Sequence, residues 1–189
     1  MEIFVTRHGV TDWNIEGRIQ GQLDIELNTL GIKQAEQTRD SIKDIDFDLI
    51  ISSPLKRARK TADIINQFHI FPIIEDTRLM ERGFGKSEGL TKTEIHEIAV
   101  EHPEILDCWN YKRNVGYNDM EKMQDFCKRV YDFLDEIILK YQGKRILLVA
   151  HGGVFVPIYC YFNHIDLETV VDRKNIKRLN NCEVVEFEV

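Results

Sequence analysis

Two nearly unbroken apolar runs constrain this chain more than any other feature. Phe47-Asp48-Leu49-Ile50-Ile51 and Ile146-Leu147-Leu148-Val149 lack the apolar/polar alternation of a strand that is wet on one face. Such strands must be covered on both sides, so their sheet needs a layer above it and a layer below. With their flanks these runs cover 47–52 and 145–150, and three more segments have strand composition: Ile3 to Thr6, Phe71 to Ile74 and Val184 to Val189.

Helical spacing fills the intervals. Ile32, Ala35 and Ile42 recur behind Thr29, which is read as an N-cap, and Ser53-Pro54 reads as an N-cap followed by the first helical position. From about Glu121 to Tyr141 one stripe gathers Met123, Phe126, Cys127, Val130, Leu134, Ile137, Ile138 and Tyr141, with Gly143 as a stop. Alternating strands and helices predict an α/β fold: a three-layer α/β/α sandwich with a mostly parallel central sheet and ligands at the carboxyl ends of its strands. The stretch from about Gly89 to Asp119 is irregular and reads as an inserted helical flap. With 189 residues, 43% of them hydrophobic, and no repeat or Pro/Gly linker, one domain over 1–189 is expected.

Charge narrows the partners. The formal net charge is −7, the wrong sign for a general binder of nucleic acid or anionic membrane, so neither partner is expected and any anion site must be local. The longest near-apolar run, Val154 to Phe162, is far short of a bilayer span, and the start of the chain does not resemble an export signal. Cys108, Cys127, Cys160 and Cys182 show neither metal-cluster nor disulfide-framework spacing, which points to the cytoplasm. Oligomeric state stays open; a homo-oligomer is compatible with everything above.

Chemistry concentrates at strand ends. Ile3-Phe4-Val5-Thr6 runs into Arg7-His8-Gly9, and Leu147-Leu148-Val149-Ala150 runs into His151-Gly152-Gly153. A glycine beside each imidazole lets the chain turn sharply and its backbone approach a ligand closely. Arg57 falls in the first turn of the helix after another strand, where free N–H groups and a guanidinium fork both suit an anion. Other phosphate chemistries fit poorly. Gly85-Lys86-Ser87 imitates the end of a P-loop, but the glycine required earlier is Met80. Asp44 and Asp46 precede their strand, no cysteine stands in a cysteine-phosphatase motif, and His96 and His102 point to different helix faces, so no metal is expected.

The chain resembles the histidine phosphatase superfamily, in its phosphoglycerate mutase-like branch. The resemblance is carried by Arg7 to Asn14 (RHGVTDWN), Gly17 to Gly21 (GRIQG), Leu27 to Ala35, Ser52 to Ala62, Leu79 to Gly89 and Ala150 to Gly153, in the family's order. It implies that His8 is a nucleophile forming a phosphohistidine, and that Arg7, Arg57 and His151 surround the phosphoryl group with help from Asn14. Glu81 would be the general acid and base. Gln20, Gly21, Arg82 and Lys92 match positions lining the entrance, and Tyr111, Lys112 and Arg113 in the flap are candidates for a second anion contact. Val115 to Lys122 (VGYNDMEK) departs from the family pattern, keeping only Glu121 of its Gly-Glu-Ser.

The expected activity is therefore metal-independent hydrolysis of a small phosphorylated metabolite, without a cofactor. The alternative is a phosphoglycerate mutase, which alone would need 2,3-bisphosphoglycerate. Such mutases are longer, and only 69 residues lie between Glu81 and His151 here. A non-catalytic phosphate-binding module is a third reading, disfavoured because every expected catalytic residue type is present.

Overall fold

The computed structural model describes residues 1–171 and 176–189. Five strands, β1 (Glu2–Arg7), β2 (Leu49–Ser52), β3 (Ile73–Glu75), β4 (Arg145–Ala150) and β5 (Val184–Glu188), form one sheet in the order β3-β2-β4-β1-β5. All neighbours run parallel except β5, which pairs antiparallel with β1 at the edge. The expected mostly parallel sandwich is thus the observed one.

Period-two alternation sends successive residues of each strand into different cores. Ile3, Val5, Leu49, Ile51, Ile146 and Leu148 pack on one face against α5 (Met123–Lys140) and α6 (Phe155–Phe162). On the other face, Phe4, Ile50, Leu147 and Val149 meet Ile42, which follows α2 (Thr29–Ser41), the helix after the short α1 (Asp12–Glu16), and Ala58, Ala62 and Ile65 of α3 (Lys56–Ile65). The unbroken apolar runs are explained: each residue has a helical layer to enter.

Element boundaries differ from expectation where a local partner decides them. Asn28, not Thr29, caps α2, accepting from the Gly31 N–H at 2.9 Å. Ser53 does not cap α3; its hydroxyl accepts from the Leu55 N–H, while Asp24 accepts from the Lys56 N–H at 2.7 Å. The third strand begins at Ile73 because Asn66 grips both backbone groups of Phe71 and Pro72 offers no N–H. Between β3 and α5 the region expected as a flap carries α4 (Lys92–Ile98) and short 3₁₀ turns over Pro103–Asp107 and Tyr117–Asp119. Ile105 of that region packs with Phe84 before it and Met120 just after it in a small separate core.

Candidate active site

Parallel register pairs Arg7 of β1 with Ala150 of β4, so His8 and His151 leave the carboxyl edge side by side. The His8 N–H donates to the Ala150 carbonyl at 3.0 Å, and the imidazole centroids lie 5.2 Å apart. The turn after His8 tolerates no side chain: a Cβ on Gly9 would stand 2.3 Å from the Gly31 carbonyl oxygen, backbone against backbone.

Both rings are buried. Nδ1 of His8 lies 2.7 Å from the Gly9 carbonyl oxygen. A carbonyl can only accept, so Nδ1 carries the proton and the lone pair is left on Nε2. Burial first, then the charges of Arg57 and Arg7, hold the His8 pKa well below the ordinary histidine value. Near neutral pH the ring is therefore uncharged and nucleophilic at a defined nitrogen.

Ser53 performs a similar service for His151, its Oγ lying 2.8 Å from Nε2. That hydroxyl accepts from the Leu55 N–H with one lone pair; when its own proton goes to Nε2, the ring carries its hydrogen on Nδ1. Nδ1 is buried with no partner. Burial and the charge of Arg57 depress this histidine's pKa as well.

Arg57, fully buried, fixes two of its nitrogens by donating to the carbonyls of Leu23 and Gly21, both at 2.7 Å. Its Nε is buried without a partner. Desolvation brings its pKa down to about 10, still high enough to keep the charge at neutral pH. Buried polar atoms are almost always bonded, so the unclaimed Nε–H of Arg57 and Nδ1 of His151 mark a place for a polar ligand group.

A cavity of about 460 Å³ opens here, lined by Arg7, His8, Asn14, Gln20, Gly21, Arg57, Glu81 and Lys92 among the expected residues. Asn14 spends its Oδ1 on a capping box with Thr11, which leaves its NH₂ as the part able to serve an anion. Glu81 is held at both oxygens, by the Arg82 N–H at 2.8 Å and the Gly153 N–H at 2.9 Å.

Other expected contacts are not at the cavity. Arg82 is fully buried, and its guanidinium donates to the carbonyls of Glu121 (2.7 Å), Cys108 and Val115 (3.3 Å), so it ties the flap down rather than lining the entrance. Lys112 pairs with Glu168 at 3.4 Å and Arg113 with Asp107, both at the surface, and Tyr111 packs against the main core. Conversely Arg18, Lys177 and Arg178 line the cavity without having been singled out. Arg18 stands inside the GRIQG block and its charge was a usable signal; the other two lie in a loop without pattern.

Residues 3–189 match the family model for the histidine phosphatase superfamily, branch 1. The chain belongs to that superfamily. This histidine phosphatase is 33% identical over 184 residues to a Bacillus subtilis protein named uncharacterized phosphatase PhoE, covering 97% of this chain and 89% of that one. It is 36% identical over 165 residues to the metal-independent phosphoserine phosphatase of Arabidopsis thaliana, covering 84% of this chain and 67% of the other, and further relatives bear the name probable phosphoglycerate mutase. Among solved structures, Bacillus stearothermophilus YhfR superposes with a TM-score of 0.88 at 26% identity, over 100% of this chain and 91% of that one. The chain is an enzyme of phosphoric monoester hydrolysis, in a superfamily whose reaction passes through phosphohistidine.

Proposed function

We propose that His8 is the nucleophile of a metal-independent phosphomonoesterase acting on a small phosphorylated metabolite. The lone pair on Nε2 attacks phosphorus, the ester P–O bond breaks in line with it, and the PO₃ unit is carried on the ring. Arg7, Arg57, His151 through Nδ1–H and the Asn14 amide meet the negative charge spreading over the equatorial oxygens. Glu81 gives a proton to the departing oxygen, then removes one from the water that cleaves the P–N bond, releasing phosphate and restoring His8. The two arginines supply the charge neutralisation from the chain itself, so this reading assigns no metal and no cofactor.

The observation that carries the reading is a neutral imidazole of fixed tautomer set beside the buried, unclaimed Nε–H of Arg57 and Nδ1 of His151. A cavity of about 460 Å³ suits a small metabolite. Hydrolysis is favoured over mutase chemistry by the short connection between Glu81 and His151, which leaves little chain to shield a phosphoenzyme from water. Four cysteines with no disulfide among the described residues fit a reducing cytoplasm, and no helix among the described residues is long and apolar enough to cross a membrane.

The test is turnover of a panel of phosphometabolites with chelator present, with and without 2,3-bisphosphoglycerate, together with mass spectrometry of the quenched enzyme. Phosphate release with the adduct on His8, and a loss of more than about 10³-fold in His8→Ala, are expected. An adduct on another side chain would overturn the assignment, and interconversion of phosphoglycerates without phosphate release would make the enzyme a mutase.

A further inference from the structure

The phosphate reading uses Arg7 and Arg57, yet the cavity has more positive charge than one phosphoryl group needs. Lys177 and Arg178 reach it from the segment leading to β5. That segment is anchored on both sides of them: Ile176 and Leu179, 7% and 3% exposed, are embedded in the main core, whereas Lys177 and Arg178 are exposed. The Leu179 carbonyl also accepts from Nη1 of Arg7 at 3.4 Å. The two outer cations are therefore set in position relative to an arginine of the phosphate site.

Their charge is poorly neutralised. Arg178 has no acidic partner within 4.0 Å among the described residues, and Lys177 has Glu183 at 3.6 Å. Among the described residues lining the cavity, Glu81 is the one carboxylate, and both its oxygens are bonded to backbone. The flap cations Lys112 and Arg113, by contrast, are paired and lie outside the cavity.

We propose that Lys177 and Arg178 form a subsite for a second anionic group of the substrate, a carboxylate or second phosphate, so that this enzyme selects phosphomonoesters charged at both ends. The proposal rests on the phosphatase reading and names its substrate class. A monoester whose far end is neutral leaves these cations with water alone, whereas one with an anionic end gains charge-assisted bonds, and the difference is selectivity.

The experiment compares wild type with the double variant Lys177→Ala/Arg178→Ala on three probes: para-nitrophenyl phosphate, 3-phosphoglycerate and fructose 1,6-bisphosphate. Wild type is expected to show a lower KM for at least one two-anion probe. In the double variant that KM should rise about tenfold relative to the KM for nitrophenyl phosphate. Lys177→Arg/Arg178→Lys, which keeps both charges, should restore most of the ratio. Response to the carboxylate or to the bisphosphate identifies which anion the subsite takes. No wild-type preference, or an equal change on all three probes, would overturn the proposal.

Calorimetry on His8→Ala protein separates the two layers of the inference. If no probe is turned over by wild type, the phosphatase reading fails. The subsite still stands if 3-phosphoglycerate binds His8→Ala more tightly than phenyl phosphate and the double substitution removes the difference; it falls if the difference is absent or persists.

Discussion

Glu81 is gripped by the backbone N–H groups of Arg82 and Gly153, and the grip at 153 depends on that residue having no side chain. A Cβ there would lie 2.1 Å from Oε1 of Glu81 and 2.9 Å from the Trp109 ring. Gly153→Ala must therefore displace the carboxylate, and a misplacement of that size costs about 10²-fold in kcat. Glu81→Gln keeps the size, removes the transferable proton and leaves one of the two backbone N–H groups without its acceptor, with an expected loss of about 10²- to 10⁴-fold on alkyl phosphates. Nitrophenolate leaves with little protonation, so on nitrophenyl phosphate Glu81→Gln should slow the water step more than the first. A burst of one nitrophenol per active site, with phosphohistidine building up, is expected in rapid-quench experiments. A steady rate without a burst would place the acid and base roles elsewhere.

At the scale of elements, the flap is held by a side chain that the sequence presents as a ligand contact. Arg82 follows Glu81 in ERGFG and carries a cation, but three carbonyls of the region 108–121 take its donors, and its guanidinium lies 5.5 Å from the ring centroids of both Phe84 and Trp109. Arg82→Met should leave those carbonyls unsatisfied and cost about 3 kcal/mol in chemical denaturation, with faster amide exchange through 105–121 than in α5. Wild-type stability in Arg82→Met would contradict this role. The same case shows what a linear chain conceals. The strands were legible because burial on both faces leaves a mark in consecutive residues, as in 146–149. His8, Arg57, Glu81 and His151 were legible because their blocks keep characteristic neighbours. Ser53 reaches His151 across 98 positions and Asp24 caps α3 across 32, so neither pairing leaves a local pattern. Lys177 and Arg178 owe their place to apolar anchors on either side, which a short irregular loop does not advertise.

Over the whole molecule, two imidazoles are kept neutral inside a fold that surrounds them with arginine, and this ties stability to pH. Each has a folded-state pKa well below the 6.5 of an ordinary histidine, so below about pH 6.5 the unfolded chain binds protons that the native state refuses. Unfolding free energy then rises with pH across that window, and falls on acidification by about 1.4 kcal/mol per pH unit for each such histidine until the folded-state pKa is reached. Catalysis follows the same sign: attack by His8 requires the uncharged ring, so a depressed pKa keeps the nucleophile competent under mildly acidic conditions. Between pH 6.5 and 5.5 most carboxylates are still ionised in both states, which makes this the interval to read. Urea unfolding at closely spaced pH values should give a steep positive slope for wild type. For His151→Asn the slope should be shallower by about one proton, whatever its absolute stability. Equal slopes in the two proteins would mean that His151 takes up its proton in the native state as readily as in the unfolded chain, and the electrostatic account of the site would have to be given up.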